Sequence, residues 1–260
     1  MSRHNSFFLV IVVIAIIYGF YRVSQPSLDG PSVEPGYVLI GNSSLPDFNN
    51  YQQVDDKKQA FFDFMRLLIN QENTRVTVLR NHLQKLSTDP DNLSDAQKNW
   101  LLELAEFYWS SEQSIDAAFF NSLLQRVDAV PVSLVLAQSA NESAWGTSRF
   151  ATKGNNLFGQ WCFETGCGMV PAGREDGDVH EVASFKSPLQ SVQAYIYNLN
   201  THAAYIELRA LRANQRLKKQ ALSGVVLAQG LSKYSSRGDA YIVEIQKMIS
   251  FNKLSQYDVL

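Results

Sequence analysis

The sequence predicts an α+β chain that is mainly helical, with a small inserted β-hairpin lobe and an apolar segment at the N-terminus. Three observations carry this reading. Helical spacing of apolar residues dominates from Val54 onward, and it lapses between Gly154 and Ser187, where glycines and the alternation Val179, Glu181, Ala183, Phe185 take over. Phe7 to Tyr21 contains no charged residue. At 260 residues the chain is long enough for one good-sized core plus an appendage.

The apolar run follows Arg3 and His4 and precedes Arg22 and a polar stretch. Its length of about 22 Å as a helix is short for a hydrocarbon core of about 30 Å unless Asn5, Ser6, Val23 and the aromatic ends lie at the interfaces. No A-x-A cleavage site follows it, so residues 1–23 read as an uncleaved signal anchor. With Arg3 and His4 inside, the remainder lies outside the cytoplasm, which predicts an inner-membrane anchor with the body of the chain in the periplasm. Residues 24–53, rich in Ser, Pro, Gly and Asn, read as a linker.

Residues 54–127 form a predicted N-terminal helical region that packs on a domain spanning 128–260. Lys57 to Leu86 carries apolar clusters that break or bend near Asn70 to Asn73. Ser94 to Gln97 is a capping box that opens a helix through Trp100, Leu104 and Tyr108, and Ile115 to Val127 makes another. Pro131 opens the next helix at its first position, running to Ser143. The β lobe, about 159–186, turns near Glu175, Asp176 and Gly177. Ser187, Pro188 and Gln190 restart the helices, which continue through Ala203 to Asn214, through Arg216 to Leu231 with an interruption at Gly224, and into an Asp239-capped segment.

A net charge of −2 with dispersed cations argues against nucleic acid as a partner. The local cluster Arg209, Arg212, Arg216, Lys218, Lys219 reads as a solvated helix face. Cys162 and Cys167 can close a small disulfide loop in an oxidising compartment, stabilising it by about 2 kcal/mol. A zinc site needs four suitably spaced ligands, and His180 and His202 do not complete one with these cysteines, so no metal or cofactor is expected.

Glu142 is the candidate for chemistry. It ends a helix too apolar to lie on a surface, and Gly146 turns the chain just beyond. Burial, the negative end of the helix dipole and the adjacent Trp145 all favour its protonated form, as a general acid requires. Aromatics including Trp145, Phe158, Trp161, Phe163, Tyr195, Tyr205, Tyr234 and Tyr241 follow it, and such rings stack on the apolar faces of sugars. Asn155, Asn156 and Gln160 bracket Leu157-Phe158-Gly159, where amides suit either hydroxyl and N-acetyl groups or Asx turns.

The run Asn141-Glu142-Ser143-Ala144-Trp145-Gly146-Thr147-Ser148, with Asn155-Asn156-Leu157-Phe158-Gly159, resembles the glucosaminidase domain of glycoside hydrolase family 73. Trp161-Cys162-Phe163, Gly166-Cys167-Gly168, His180 to Phe185 and Ser191 to Tyr195 resemble the Bax branch of that family. The resemblance implies a lysozyme-like fold and hydrolysis of the β-1,4 bond after N-acetylglucosamine in peptidoglycan glycan strands. It places the general acid on Glu142 and the tyrosine of a Tyr-Ala-Thr motif on Tyr234, which Ser235 and Ser236 follow here. Trp145, Asn155, Asn156, Phe158, Tyr195 and Tyr241 are the expected substrate-binding residues.

The second carboxylate has no clean counterpart, and Glu181 or Glu175 is expected to close over bound glycan, with Asp176 and Asp178 also in range. A lytic transglycosylase acting on the same polymer, and a non-catalytic glycan-binding envelope module, are the competing readings.

Overall fold

The computed structural model describes residues 30–34, 44–110, 114–172, 174, 177 and 179–258. The apolar run and the anchor expected over 1–23 lie outside the described residues. No helix among those described is long and apolar enough to cross a membrane.

Helix α1 (Val54–Leu86) carries Asp55 and Asp56 in its first turn and Lys85 in its last, charges that suit the helix dipole. It is one continuous helix of 33 residues, without the break expected near Asn70 to Asn73. Glu72 and Asn73 face inward there because each meets a partner, while Asn70 is exposed. Asn73 donates to the Val130 carbonyl at 2.8 Å and accepts from the Val130 amide at 3.0 Å, and buried Glu72 pairs with Arg75 at 2.7 Å. Helix α2 (Asp95–Phe107) opens on the Ser94–Gln97 capping box, and α3 (Ala117–Arg126) opens on Asp116, which accepts from the Phe119 amide.

Helix α4 (Val132–Glu142) is buried from Val132 to Ala140. Pro131 is its N-cap, one position before the expected first turn. The missing cap is supplied from the far end of the chain, where the Asp258 carboxylate accepts from the Ser133 amide at 2.8 Å and its hydroxyl at 2.6 Å. Helix α4 packs against α1 and against elements near the C-terminus. After α5 (Arg149–Gly154) come β1 (Trp161–Cys162), β2 (Gly168–Met169) and β3 (Glu181–Ala183), in antiparallel order β1-β3-β2. Trp161 pairs with Val182, and Met169 pairs with Val182 from the other side. The expected hairpin is therefore a three-stranded sheet.

Helices α6 (Pro188–Thr201), α7 (Ile206–Leu217), α8 (Gly224–Leu227) and α9 (Asp239–Phe251) complete the body. Gly224 opens α8 instead of interrupting a longer helix, and a Cβ on it would come within 2.1 Å of the Ser133 hydroxyl, so the absence of a side chain lets α8 sit on α4.

Two readings from the sequence are corrected. The segment 24–53 is not only a spacer. Val33 is buried and its carbonyl accepts from Arg75 at 2.7 Å, the Pro31 carbonyl accepts from the Trp100 indole at 2.8 Å, and Phe48 packs edge-on to Phe61. The basic cluster is not a solvated face either, because Arg209 and Arg212 are buried, Arg212 to 1% exposure. Arg212 and Arg216 from α7 and Arg80 from α1 converge on buried Asp128, at 3.8, 2.8 and 3.4 Å. Burial alone would raise the Asp128 carboxyl, but Arg212, Arg216 and Arg80 override it and hold it below its ordinary value. Burial pushes Arg212 down to about 10 against the pull of Asp128, which leaves it cationic at neutral pH.

Candidate active site

The end of α4 sets the geometry. Beyond Glu142 the chain reverses through Ala144, Trp145 and Gly146, all at positive φ (50°, 60° and 75°). Only one of the three is glycine, so the turn stores strain of about 1–2 kcal/mol at each of the other two. The Ser143 hydroxyl braces it, donating to the Ser139 carbonyl at 2.6 Å and accepting from the Gly146 amide at 2.8 Å. Trp145 braces it from outside, edge-on to Phe61 and Phe62 of α1 with the Lys58 ammonium over its ring. Trp145 thus packs on α1 and fixes the turn, and it does not line the cavity described below.

The opposite wall comes from residues 156–161. Buried Asn156 donates to the carbonyls of Gln160 (2.9 Å) and Ala183 (2.8 Å) and accepts from the amides of Phe158 (3.2 Å) and Gln160 (3.1 Å). Every hydrogen-bonding capacity of the amide is spent on holding this loop. Asn155, at φ 52°, ends α5 and donates to the Phe185 carbonyl. Asn156 is therefore corrected from a ligand-binding amide to the Asx-type alternative, while Asn155 spends an amide N–H on the distant Phe185 carbonyl. The loop they hold brings Gly159 to the acid, where a Cβ would sit 3.7 Å from Glu142 Oε2.

Between these walls is a cavity of about 570 Å³. Glu142, Phe158, Tyr195, Tyr234 and Tyr241, all singled out from the sequence, line it together. So do Asn141, Asn198 and Ser235, which were not singled out as site residues, and Arg237, which was passed over because a lone polar residue in a turn gives no periodic signal. Among the described lining residues Glu142 is the one carboxylate and Arg237 the one guanidinium.

A directed hydrogen-bond chain ends on Glu142. The Tyr195 hydroxyl donates to Gln138 Oε1, Gln138 Nε2 donates to the Tyr241 oxygen at 3.0 Å, and the Tyr241 hydroxyl donates to Glu142 Oε1 at 2.7 Å. Asn141 adds a long contact of 3.4 Å to the same oxygen. Oε1 is occupied as an acceptor, which leaves Oε2, facing Gly159, as the oxygen that can hold and deliver a proton. Burial, and then the neighbouring Glu142, push the Tyr241 phenol upward, and burial does the same to Tyr195 and Tyr234. All three stay neutral donors at any ordinary pH. Tyr234 stacks on Tyr241 at 5.2 Å and donates to the Phe158 carbonyl at 2.8 Å, tying α9 to the opposite wall.

Glu181 is corrected. Expected as one of two carboxylates to close over bound glycan, it is 5% exposed and turned into the lobe, where it accepts from the amides of Gly166 (3.1 Å) and Gly168 (2.8 Å). Those two bonds hold it below its ordinary value. It anchors the loop closed by the Cys162–Cys167 disulfide, whose Cα atoms are 6.2 Å apart. Glu175, Asp176 and Asp178 lie outside the described residues.

Comparison with known proteins adds three findings. A family model, Glucosaminidase, described as mannosyl-glycoprotein endo-beta-N-acetylglucosaminidase, matches residues 117–254. The chain is 36% identical over 203 residues to the protein bax of Escherichia coli (strain K12), covering 77% of this chain and 71% of that one. Among solved structures, the catalytic domain of the autolysin Auto from Listeria monocytogenes aligns at 17% identity with a TM-score of 0.34, covering 67% of this chain and 96% of that one.

Proposed function

The chain belongs to the glucosaminidase family, and from that premise we propose that it hydrolyses the β-1,4 bond after N-acetylglucosamine in peptidoglycan glycan strands, with Glu142 as general acid. The observation that carries this reading is the asymmetric environment of Glu142, with Oε1 held by Tyr241 and Oε2 open toward Gly159 in an aromatic-lined cavity. A proton on Oε2 is delivered to the glycosidic oxygen as the bond breaks. Phe158, Tyr195 and Tyr241, each at most 2% exposed, form a packed aromatic floor beneath the cavity, and Asn141, Asn198 and Ser235 supply polar groups for sugar hydroxyls and acetamides.

With Glu181 committed to the loop, the second group in this reading is Glu175 or the acetamido oxygen of the substrate itself. A second carboxyl about 5 Å from Glu142 goes with a covalent intermediate and retention, and one at about 6.5–9.5 Å goes with an intervening water and inversion. The acetamido route needs no second carboxyl. The disulfide favours an extracytoplasmic setting, and the periplasmic, anchor-tethered placement rests on the apolar run of residues 1–23 in the sequence.

The test is digestion of purified sacculi followed by mass spectrometry. New reducing-end N-acetylglucosamine is expected, and it should vanish with Glu142→Gln. Anhydro-muramyl ends would make the chain a lytic transglycosylase, and binding to sacculi without any cutting would make it a glycan-binding module.

A further inference from the structure

The β lobe carries a feature that the acid-bearing cavity does not account for. Trp161 lines the cavity yet is 58% exposed, and Phe163, two residues on, is 69% exposed. Trp161 lies in β1 beside Cys162, which is bonded to Cys167, and Phe163 lies just past the end of the strand. The indole is not free to wander, since the His180 ring lies flat against it at 4.3 Å with 8° between the planes.

Its backbone is pinned as well. Trp161 pairs with Val182, the adjoining loop is closed by the disulfide, and the Glu181 carboxylate holds Gly166 and Gly168. Scattered exposed aromatics are ordinary on protein surfaces. An indole held by a ring on one side, on a strand fixed at three points, and opening on a cavity with an acid in it, is preorganised for a flat apolar partner.

We propose that Trp161, continued by Phe163, is a glycan-binding ledge that stacks on a pyranose ring beyond the pair bracketing the scissile bond, and so sets a preference for longer strands. This rests on reading the cavity as a glycan-cleaving site. The wall runs from Gly159, against Glu142, through Trp161 to Phe163, a reach of at most about 14 Å, enough for additional sugar rings. A pyranose offers the ledge an apolar C–H face and leaves its hydroxyls at the rim in water.

The test uses the full chain carrying Glu142→Gln, so that binding is read without turnover, titrated calorimetrically with chitin oligomers from disaccharide to hexasaccharide. Adding Trp161→Ala should weaken hexasaccharide binding about tenfold and disaccharide binding little, with Trp161→Phe restoring most of the loss. Phe163→Ala, away from the strand pairing, should show a smaller loss with the same length dependence. Equal loss at every length, or no loss with the hexasaccharide, overturns the ledge. Failure of the Glu142-intact chain to cleave sacculi would overturn the proposed hydrolysis alone, because the titration decides the ledge separately.

Discussion

The Tyr241 hydroxyl donates a 2.7 Å hydrogen bond to Glu142 Oε1 across 99 residues of sequence. The bond joins α9 to the end of α4 and decides which carboxyl oxygen is left for chemistry. Gln138, one turn before Glu142 on the same helix, holds the phenol oxygen and is itself held by Tyr195. Tyr241 is therefore a positioning residue for Glu142, in addition to lining the cavity. Tyr241→Phe removes the donor to Glu142 and the acceptor of Gln138 Nε2 while keeping the ring stacked on Tyr234. The expected outcome is a fall in kcat/KM of about ten- to a hundredfold, with an unfolding cost of about 1–2 kcal/mol from the unpaired buried amide. Kinetics alongside thermal melting checks this, and a loss of stability with unchanged kcat would rule out the positioning role.

Glu181 gives a sharp contrast between a loop anchor and a second catalytic carboxylate. Glu181→Gln puts an amide group where a carboxylate accepted two backbone N–H bonds, so one of those donors is left facing another donor. Faster hydrogen exchange of the Gly166 and Gly168 amides is expected, together with retention of most cleavage activity. Abolished turnover with unchanged exchange at these amides would return Glu181 to the reacting groups.

What the sequence disclosed and what it concealed differ in physical kind. Ser94 and Ser187 cap helices as local chemistry dictates, and the apolar wrap of α4 announced its burial, because both signals are confined to a few neighbouring residues. The carboxylate at the end of α4 was singled out through a motif, and Tyr241, which donates to it, only as one of the aromatics that follow it. The inward turn of Arg212 was not legible, because a cation is buried only where an anion is brought to it, and Asp128 arrives from 84 residues away. Asn156 was misread, and the packing of Trp145 went unseen, for a related reason. An aromatic or amide beside an acid suits substrate and scaffold equally, and the choice depends on α1 and β3, which fill the space around them.

Gly146 marks where α1 bears on the acid. Its φ of 75° is costly for any side chain, and a Cβ there would lie 2.6 Å from the Phe48 ring and 3.2 Å from Phe61. Gly146→Ala should destabilise the chain by about 2–3 kcal/mol and lower kcat, since relief of the clash moves the turn that carries Glu142. Denaturant melts and steady-state kinetics on the same preparation check both effects, and a neutral substitution would mean that the turn and the N-terminal helix are uncoupled.

Asp128 is the hinge of stability between α1 and α7. Its carboxylate is the shared partner of Arg80, Arg212 and Arg216, so Asp128→Asn leaves buried guanidinium charge without its counter-ion, at an expected cost of about 3–5 kcal/mol. The same residue predicts the acid limb of stability. Its carboxyl is held below the ordinary value in the folded chain, whereas the unfolded chain binds a proton near about pH 3.9. Above that pH both states are ionised and the contribution of the cluster is complete. As pH falls below it, the unfolded state takes up the proton first, and the contribution drains away until the folded carboxyl is also protonated. Urea unfolding between pH 3 and 7 should therefore show stability falling at the acid end for the natural chain and a shallower fall for Asp128→Asn. An acid limb identical in the two would place the proton-linked group elsewhere.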